Sequence, residues 1–320
     1  MEFESREHLI AEIASMYYKK KNTQDEIASR IGYSRSAISR LLDEAEKSGI
    51  VEISIRFPLE RVSYLENQLR DLYNIENVLV AKHGKINQSQ VLHLVGRLGA
   101  LHVEQLIHEN STIDISWGTG VFEVVNSLSA HLMPGIKVIQ IIGAAGGKSD
   151  PNVDGPELAR LLADKYGATY VSLHVPLLVD KPTTRQVLLS ENEIKETLQQ
   201  ALKADFALVG IGSVEPESST SYIRAGYLSQ AQIAAVKSQG AVGSICGYLY
   251  DLRGNILDNE LNQRIVAVDL KKLLHSRCEV IGIATGDYKV PAVLGALRGN
   301  LVKTIVIDSS IAEKILNAED

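Results

Sequence analysis

Residues 23–42 read TQDEIASRIGYSRSAISRLL, and the spacing inside this stretch decides how the chain begins to fold. Thr23, followed three residues later by Glu26, is the capping-box start of a helix. Ile27, Ala28 and Ile31 share the inner face of that helix. Gly32 ends it, because a residue without Cβ enters the left-handed conformation of a tight turn at little steric cost. Beyond Tyr33, Ser34 is an N-cap for a further helix whose Ile38, Leu41 and Leu42 point inward and whose Arg35, Ser36, Ser39 and Arg40 point outward. A small residue at the crossing, a Gly in the turn and branched apolar residues inside the second helix are the requirements of a helix-turn-helix.

Upstream, Leu9, Ile13, Met16 and Tyr17 recur at helical steps and predict a supporting helix over Arg6–Tyr18. Between Tyr17 and Leu42 lie the basic residues Lys19, Lys20, Lys21, Arg30, Arg35 and Arg40, opposed only by Asp25 and Glu26, whereas the whole chain carries a net charge of −6. Phosphate attraction is the main term in indiscriminate nucleic-acid binding, so that balance excludes a protein that coats DNA and confines any contact to this patch. The residues expected to touch double-stranded DNA are Thr23, Gln24, Ser34, Arg35, Ser36, Ser39 and Arg40, whose hydroxyl, amide and guanidinium groups suit phosphates and base edges. Downstream, Val51, Ile53, Ile55 and Phe57 alternate with polar residues as in a half-buried strand, either a wing or the strand that closes the small domain. Pro58 ends it. Val62, Leu65, Leu69 and Leu72 then follow an a/d spacing, so the linker helix either pairs subunits or packs on its own large domain.

A chain of 320 residues with 45% hydrophobic and 22% charged residues fits one small and one large globular domain. The expected division is 1–57 for the reading head, 58–75 for the linker helix and 76–320 for the large domain. The two cysteines, Cys246 and Cys278, are too few for a disulfide framework and lack zinc-site spacing, so both are expected as buried thiols. The N-terminus lacks the basic and apolar regions of a secretion signal, and no run approaches the roughly 18 apolar residues of a membrane span. The expected location is the cytoplasm, without membrane contact.

From Asn77 onward, apolar runs alternate with helical stretches: Val78–Ala81, Thr112–Trp117, Lys137–Ile142, Thr169–Val175, Phe206–Ile211, Glu279–Ala284 and Thr304–Ile307. This is the signature of βαβ units, hence of an α/β domain with a doubly wound, mostly parallel sheet. Within Ala241–Leu257, the runs Tyr248–Asp251 and Asn255–Leu257 flank Arg253-Gly254 and read as an antiparallel hairpin. Glycines cluster where such strands run into helices: Gly118-Thr119-Gly120, the loop Gly143 to Lys148 with Gly146 and Gly147, and Gly210 to Ser213. Three such loops can converge on one anion through backbone N–H groups and the Thr119 hydroxyl. Lys289, after Thr285-Gly286-Asp287, sits at a helix start where the dipole disfavours a cation, which points to an anion nearby. His93, His102 and His108 are assigned to one long helix as surface or core residues. HxxxH, HExxH, GxSxG and GxxxxGK[ST] motifs are absent, as is GxGxxG after the first large-domain strand, so neither a metal nor a cofactor is expected.

Several ordered blocks carry a family likeness. These are Tyr17-Tyr18 with TQDEIASRIGYSRSAISRLLDEAEKSGIV, ISWGTG at 115–120, ALVGIGSV at 207–214, GAVGSICGYLYDLRGNIL at 240–257 and GIATGDYKVPAVLGALRGN at 282–300. Over essentially its whole length the chain resembles the SorC/DeoR family of sugar-responsive bacterial transcriptional regulators. The resemblance implies a helix-turn-helix that binds operator DNA and a phosphosugar-isomerase-like domain that binds a phosphorylated sugar effector without catalysis. It also implies a homo-oligomer, a tetramer built as a dimer of dimers. Effector contacts would fall on Gly118, Thr119 and Gly120, on Gly143, Gly146, Gly147 and Lys148, on Asn152, on Ser244, and on Asp287 and Lys289. Ser244 stands where relatives often carry an acid, Ile142 where some carry a lysine, and ATGD where many have adjacent glycines. The alternative is a phosphosugar isomerase-like enzyme with a fused DNA-binding head, which needs a general base such as Asp287 or Asp308.

Overall fold

The structure is a computed structural model and describes residues 5–51, 58–146, 150–215, 222 and 226–319. The chain divides into two compact units, Met1–Pro58 and Leu59–Asp320.

In the first unit, helix α1 (Arg6–Ala14) runs into a π-helical segment (Ser15–Lys19), followed by α2 (Gln24–Ile31) and α3 (Arg35–Lys47). The local chemistry acts as the residue types predict. Thr23 Oγ1 accepts from the Glu26 N–H while the Glu26 carboxylate accepts from the Thr23 N–H at 2.8 Å. Gly32 takes φ +81°, and Ser34 Oγ accepts from the Ala37 N–H at 3.2 Å. Ile13, Met16, Ile27, Ile38 and Leu42 close a small core with Ala28 and Ala45. The expected alternating strand lies, beyond Val51, outside the described residues.

In the second unit the elements are α4 (Ser63–Tyr73), β1 (Asn77–Ala81), α5 (Gln88–Leu106), β2 (Thr112–Ile115), α6 (Thr119–Ser127), β3 (Lys137–Gln140), α7 (Gly155–Tyr166), β4 (Thr169–Val171), α8 (Pro182–Ser190) and α9 (Asn192–Ala201). They continue with β5 (Phe206–Gly210), β6 (Gly212–Ser213), α10 (Gln230–Ser238), β7 (Gly243–Ile245), β8 (Tyr248–Tyr250), α11 (Leu270–His275), β9 (Glu279–Ile283), α12 (Val290–Arg298), β10 (Thr304–Asp308) and α13 (Ser309–Glu319).

Seven strands form one sheet in the order β1-β10-β9-β5-β2-β3-β4, with every neighbouring pair parallel. All seven coincide with expected apolar runs. Helices cover both faces, so the strands are buried on both sides and read as continuous rather than alternating apolar segments. The chain steps from β2 outward to β3 and β4 and then returns to lay β5 on the other side of β2. That reversal makes the β2/β5 boundary a topological switch point, where the loops diverge and leave a crevice beyond the C-terminal strand ends.

One expectation is extended and one needs correction. The antiparallel element has three described strands, β6-β7-β8, and β7 and β8 are joined by a tight turn at Cys246-Gly247, with φ +49° and +82°, that the sequence reading did not include. Positive φ at both central residues is the geometry that matches the twist of a two-residue hairpin. The expected hairpin about Arg253-Gly254 continues from β8: Gly254 takes φ +81°, the Asp251 N–H donates to the Asn255 carbonyl and the Leu257 N–H to the Leu249 carbonyl, both at 3.0 Å, and Ile256 bridges Tyr250 antiparallel. His108 is not on the long helix with His93 and His102, because α5 stops at Leu106.

Of the two readings of the linker helix, the structure contains packing on its own unit. Leu65 and Leu69 of α4 are buried in the same core as Ile311, Ala312 and Ile315 of α13, while Leu72 is 51% exposed. Both cysteines are free and buried.

Candidate functional sites

On the first unit, the N-terminus of α3 presents the expected polar residues. Arg35 is exposed, its Nε 3.8 Å from the Asp25 carboxylate, a solvated pair that adds little to stability. Arg40 is exposed and its Nε donates to the Ser36 carbonyl at 3.3 Å. The Ser34 and Ser36 hydroxyls lie 3.0 Å apart. Thr23 is exposed but its hydroxyl serves the cap, while Gln24 and Ser39 are half-buried. Tyr33, in the turn between the two helices, is 46% exposed beside them; sequence reasoning used it only to complete the turn.

On the second unit, a cleft of about 590 Å³, open to solvent, lies at the switch point between β2 and β5. The loop after β2 contributes Trp117, Gly118, Thr119 and Gly120, and the loop after β5 contributes Gly210 to Ser213. Gly118 has φ +120°, which swings the chain into α6, and no side chain among the described residues caps that helix. The first-turn N–H groups of α6 are therefore left to whatever occupies the cleft. Ser244, at the middle of β7, and Lys289, one residue ahead of α12, complete the wall with Tyr288 and the Cys246-Gly247 turn.

Several bonds hold this wall in place. The Gly118 N–H donates to the Val153 carbonyl at 2.9 Å, and Ser213 Oγ donates to the Tyr288 carbonyl at 3.2 Å, tying the loop after β5 to the turn that carries Lys289. The Trp117 ring meets Tyr222 edge-on at 6.4 Å, and the Tyr222 hydroxyl donates to the Gly247 carbonyl. Burial pushes the Cys246 thiol up to about 12, which keeps it protonated and unreactive. Among the described residues lining the cleft, Lys289 carries the only full charge and no carboxylate is present. Such a wall of backbone donors, hydroxyls and one ammonium suits an anion.

Of the expected effector residues, Gly118, Thr119, Gly120, Ser244 and Lys289 are brought together here. Others are not. Gly143 is packed against the Pro176 backbone, where a Cβ would lie 2.5 Å from the Pro176 carbonyl carbon. Gly146 lines a separate, wider cleft with Tyr170 and Tyr227. Asn152 is exposed in a 3-10 turn and does not line the switch-point cleft. Gly147 and Lys148 lie outside the described residues. Asp287 turns away: its carboxylate accepts from Ser310 Oγ and Lys314 Nζ of α13, which together hold it below the usual carboxylate range. Asp308 accepts from the Ile311 N–H at 3.0 Å, as an N-cap of α13, and from the Gly286 N–H at 2.8 Å.

Trp117, Ser213 and Tyr288 were not among the expected effector residues. Trp117 and Ser213 sit inside glycine blocks already singled out, so adjacency to those glycines was the available signal. Tyr288 carried none.

A family model described as "Putative sugar-binding domain" matches residues 58–317. The sorbitol operon regulator of Klebsiella pneumoniae is 30% identical over 314 residues, covering 96% of this chain and 97% of that one. The deoxyribonucleoside regulator of Bacillus subtilis (strain 168) is 27% identical over 312 residues, covering 98% of each. Among solved structures, that of the full-length sorbitol operon regulator SorC from Klebsiella pneumoniae is similar with a TM-score of 0.73 at 28% identity, covering 97% of this chain and 99% of that chain. No described helix is long and apolar enough to cross a membrane.

Proposed function

The chain belongs to the SorC/DeoR family of sugar-responsive bacterial transcriptional regulators, and from that premise we propose that it controls a carbohydrate-utilisation operon by binding operator DNA in response to a phosphorylated sugar or polyol. Residues 1–57 are the reading head, with Arg35 and Arg40 aimed at the major groove. Residues 58–75 link it to the effector domain, residues 76–320. The switch-point cleft takes the phosphate on Thr119, Gly120 and Lys289, and offers hydroxyls of Ser213 and Ser244 to the sugar.

The observation that carries this reading is the cleft itself. Among the described residues, open helix N-termini and one lysine converge there without a carboxylate, which favours an anionic ligand. The same observation favours binding over turnover. An isomerase needs a base over the sugar, and the two candidates are committed elsewhere, Asp287 to α13 and Asp308 to Gly286 and Ile311.

The protein works in the cytoplasm as a homotetramer, a dimer of dimers. Effector binding changes the spacing of paired heads on DNA, where half-sites recur at multiples of about 34 Å. A ligand moves that equilibrium only through its differential affinity for the two arrangements. The test is a gel-shift titration on DNA from upstream of the chain's own operon with a panel of pentose, hexose and polyol phosphates. At least one should change operator affinity, and a panel without effect on a DNA-binding protein overturns the effector assignment.

A further inference from the structure

Three connections fasten the turn Gly286–Lys289 to the last helix and to Asp308, the residue ahead of it. The Gly286 N–H donates to Asp308 Oδ2 at 2.8 Å, Ser310 Oγ donates to Asp287 Oδ1 at 2.6 Å, and Lys314 Nζ donates to Asp287 Oδ2 at 2.5 Å. His83 Nε2 adds a contact 3.5 Å from Asp308 Oδ1. On its other side the same turn reaches the cleft through Lys289. Asp287 and Lys289 are therefore two ends of one short 3-10 turn, the first gripping α13 and the second facing the anion site. In turn, α13 packs on α4 through Ile311, Ala312 and Ile315 against Leu65 and Leu69. Helix α4 begins at Ser63, five residues after Pro58, so it is the first helix of the effector unit reached from the DNA-binding unit.

We propose that Asp287 is a positioning residue, and that its clamp on Ser310 and Lys314, seconded by Asp308 on Gly286, carries the state of the cleft through α13 to α4, the segment leading into the DNA-binding unit. This rests on the cleft being the effector site. A ligand anion that draws Lys289 inward moves the whole turn, because the three residues of 3-10 geometry are too short to absorb the shift, and the clamp passes it to α13. Close-packed side chains between α13 and α4 transmit displacement rather than absorb it.

The test is amide hydrogen exchange on the full chain, comparing wild type with Asp287→Asn and Lys314→Met, each without ligand and with inorganic phosphate as the probe. Both side chains are about half exposed, 54% and 50%, so neither substitution empties the core. In wild type, phosphate is expected to slow exchange at Gly118–Val121 and Gly286–Val290, and also in α4 and α13. In both variants the slowing near Gly118–Val121 persists, while that in α4 falls at least threefold. Equal slowing of α4 in wild type and variants overturns the clamp, as does a protected cleft with an unprotected α4. Should phosphate protect nothing in the wild-type cleft, the effector reading is what fails. The clamp is then judged on the ligand-free proteins, where each substitution must by itself speed exchange in the first turns of α13 and in α4; unchanged exchange overturns it.

Discussion

Ser244 occupies the space that a side chain on Gly212 would need: a Cβ built on Gly212 falls 2.6 Å from Ser244 Oγ, across the antiparallel pairing of β6 with β7. Both residues line the cleft, so Gly212→Ala forces the Ser244 hydroxyl to another rotamer and fills cleft volume at once. The obstructing atom is a rotatable hydroxyl rather than backbone, so the fold tolerates the change. We expect a melting temperature within a few degrees of wild type together with at least tenfold weaker binding of whichever sugar phosphate the wild type binds, read by isothermal titration. Unchanged affinity would show that the ligand does not reach Ser244.

Lys289 is the charge that makes this cleft an anion site. Replacing it by methionine keeps the aliphatic stem and removes the ammonium, and a hydrogen bond to a charged group contributes about 1.5–3 kcal/mol. Lys289→Met should therefore weaken sugar phosphate binding by roughly 10- to 100-fold while leaving operator affinity in the absence of ligand as it was. Binding of the unphosphorylated sugar, weak in both proteins, should not distinguish them. An equal loss for the two ligands would mean that the lysine shapes the cleft rather than holding phosphate.

On the reading head, Arg35 and Arg40 are exposed, and their partners in the free protein are a solvated carboxylate 3.8 Å away and a helix carbonyl. Neither contact is worth much to the fold, so alanine at each position should leave thermal stability unchanged. Each substitution is expected to cost about 1–3 kcal/mol in operator binding if the side chain reaches a base edge, with selectivity lost at one base pair. A phosphate contact instead weakens all DNA alike and lowers the salt slope by about one. Fluorescence anisotropy on operator and scrambled duplexes across a salt series separates the two outcomes, and full affinity in both variants would remove α3 from the interface.

The predicted starts of the seven parallel strands fall within a residue of the observed ones, because most begin where a polar connection gives way to buried apolar residues, Val, Ile or Phe. Their ends were harder to read. The apolar residues continue past the last paired residue into Trp117, Ile141-Ile142, Leu173 and Val175, which stay buried or half-buried as loop and so look like strand. The antiparallel element was legible only in part. Arg253-Gly254 has turn composition and its turn forms, whereas the turn between β7 and β8 places Cys246 at φ +49°, a conformation cysteine does not advertise. In the cleft, the glycines after β2 and β5 were legible one loop at a time. Their meeting with Ser244 and Lys289 depends on β5 returning beside β2, and strand order leaves no mark in local spacing. The loop from Gly143 looked equally suited to a ligand, yet Gly143 is small because the Pro176 backbone passes against it.

Asp114 is the residue whose type fits its surroundings least. It lies in β2 opposite Ile139 and Ala207, fully buried, and neither carboxylate oxygen has a hydrogen-bond partner among the described residues. Burial raises its carboxyl well above the usual carboxylate range, so the folded protein holds it neutral while the unfolded chain ionises near pH 3.9. A folded-state value above the unfolded one means that the native state binds the extra proton. The stability it contributes is whole below about pH 4 and declines as pH rises from there toward the folded-state value. Asp114→Val suits a strand interior and removes both the unbonded oxygens and the titration. It should stabilise the protein by about 1 to 3 kcal/mol at neutral pH, the desolvation cost of an unsatisfied buried polar group. The gain should shrink as the pH is lowered toward 4, because there wild type no longer loses a proton on unfolding. Denaturant titrations of both proteins at pH 4.5 and pH 7.5 measure this. A gain that is the same at both pH values would mean that Asp114 does not titrate on unfolding, and a loss at both would mean that the carboxyl is bonded in solution.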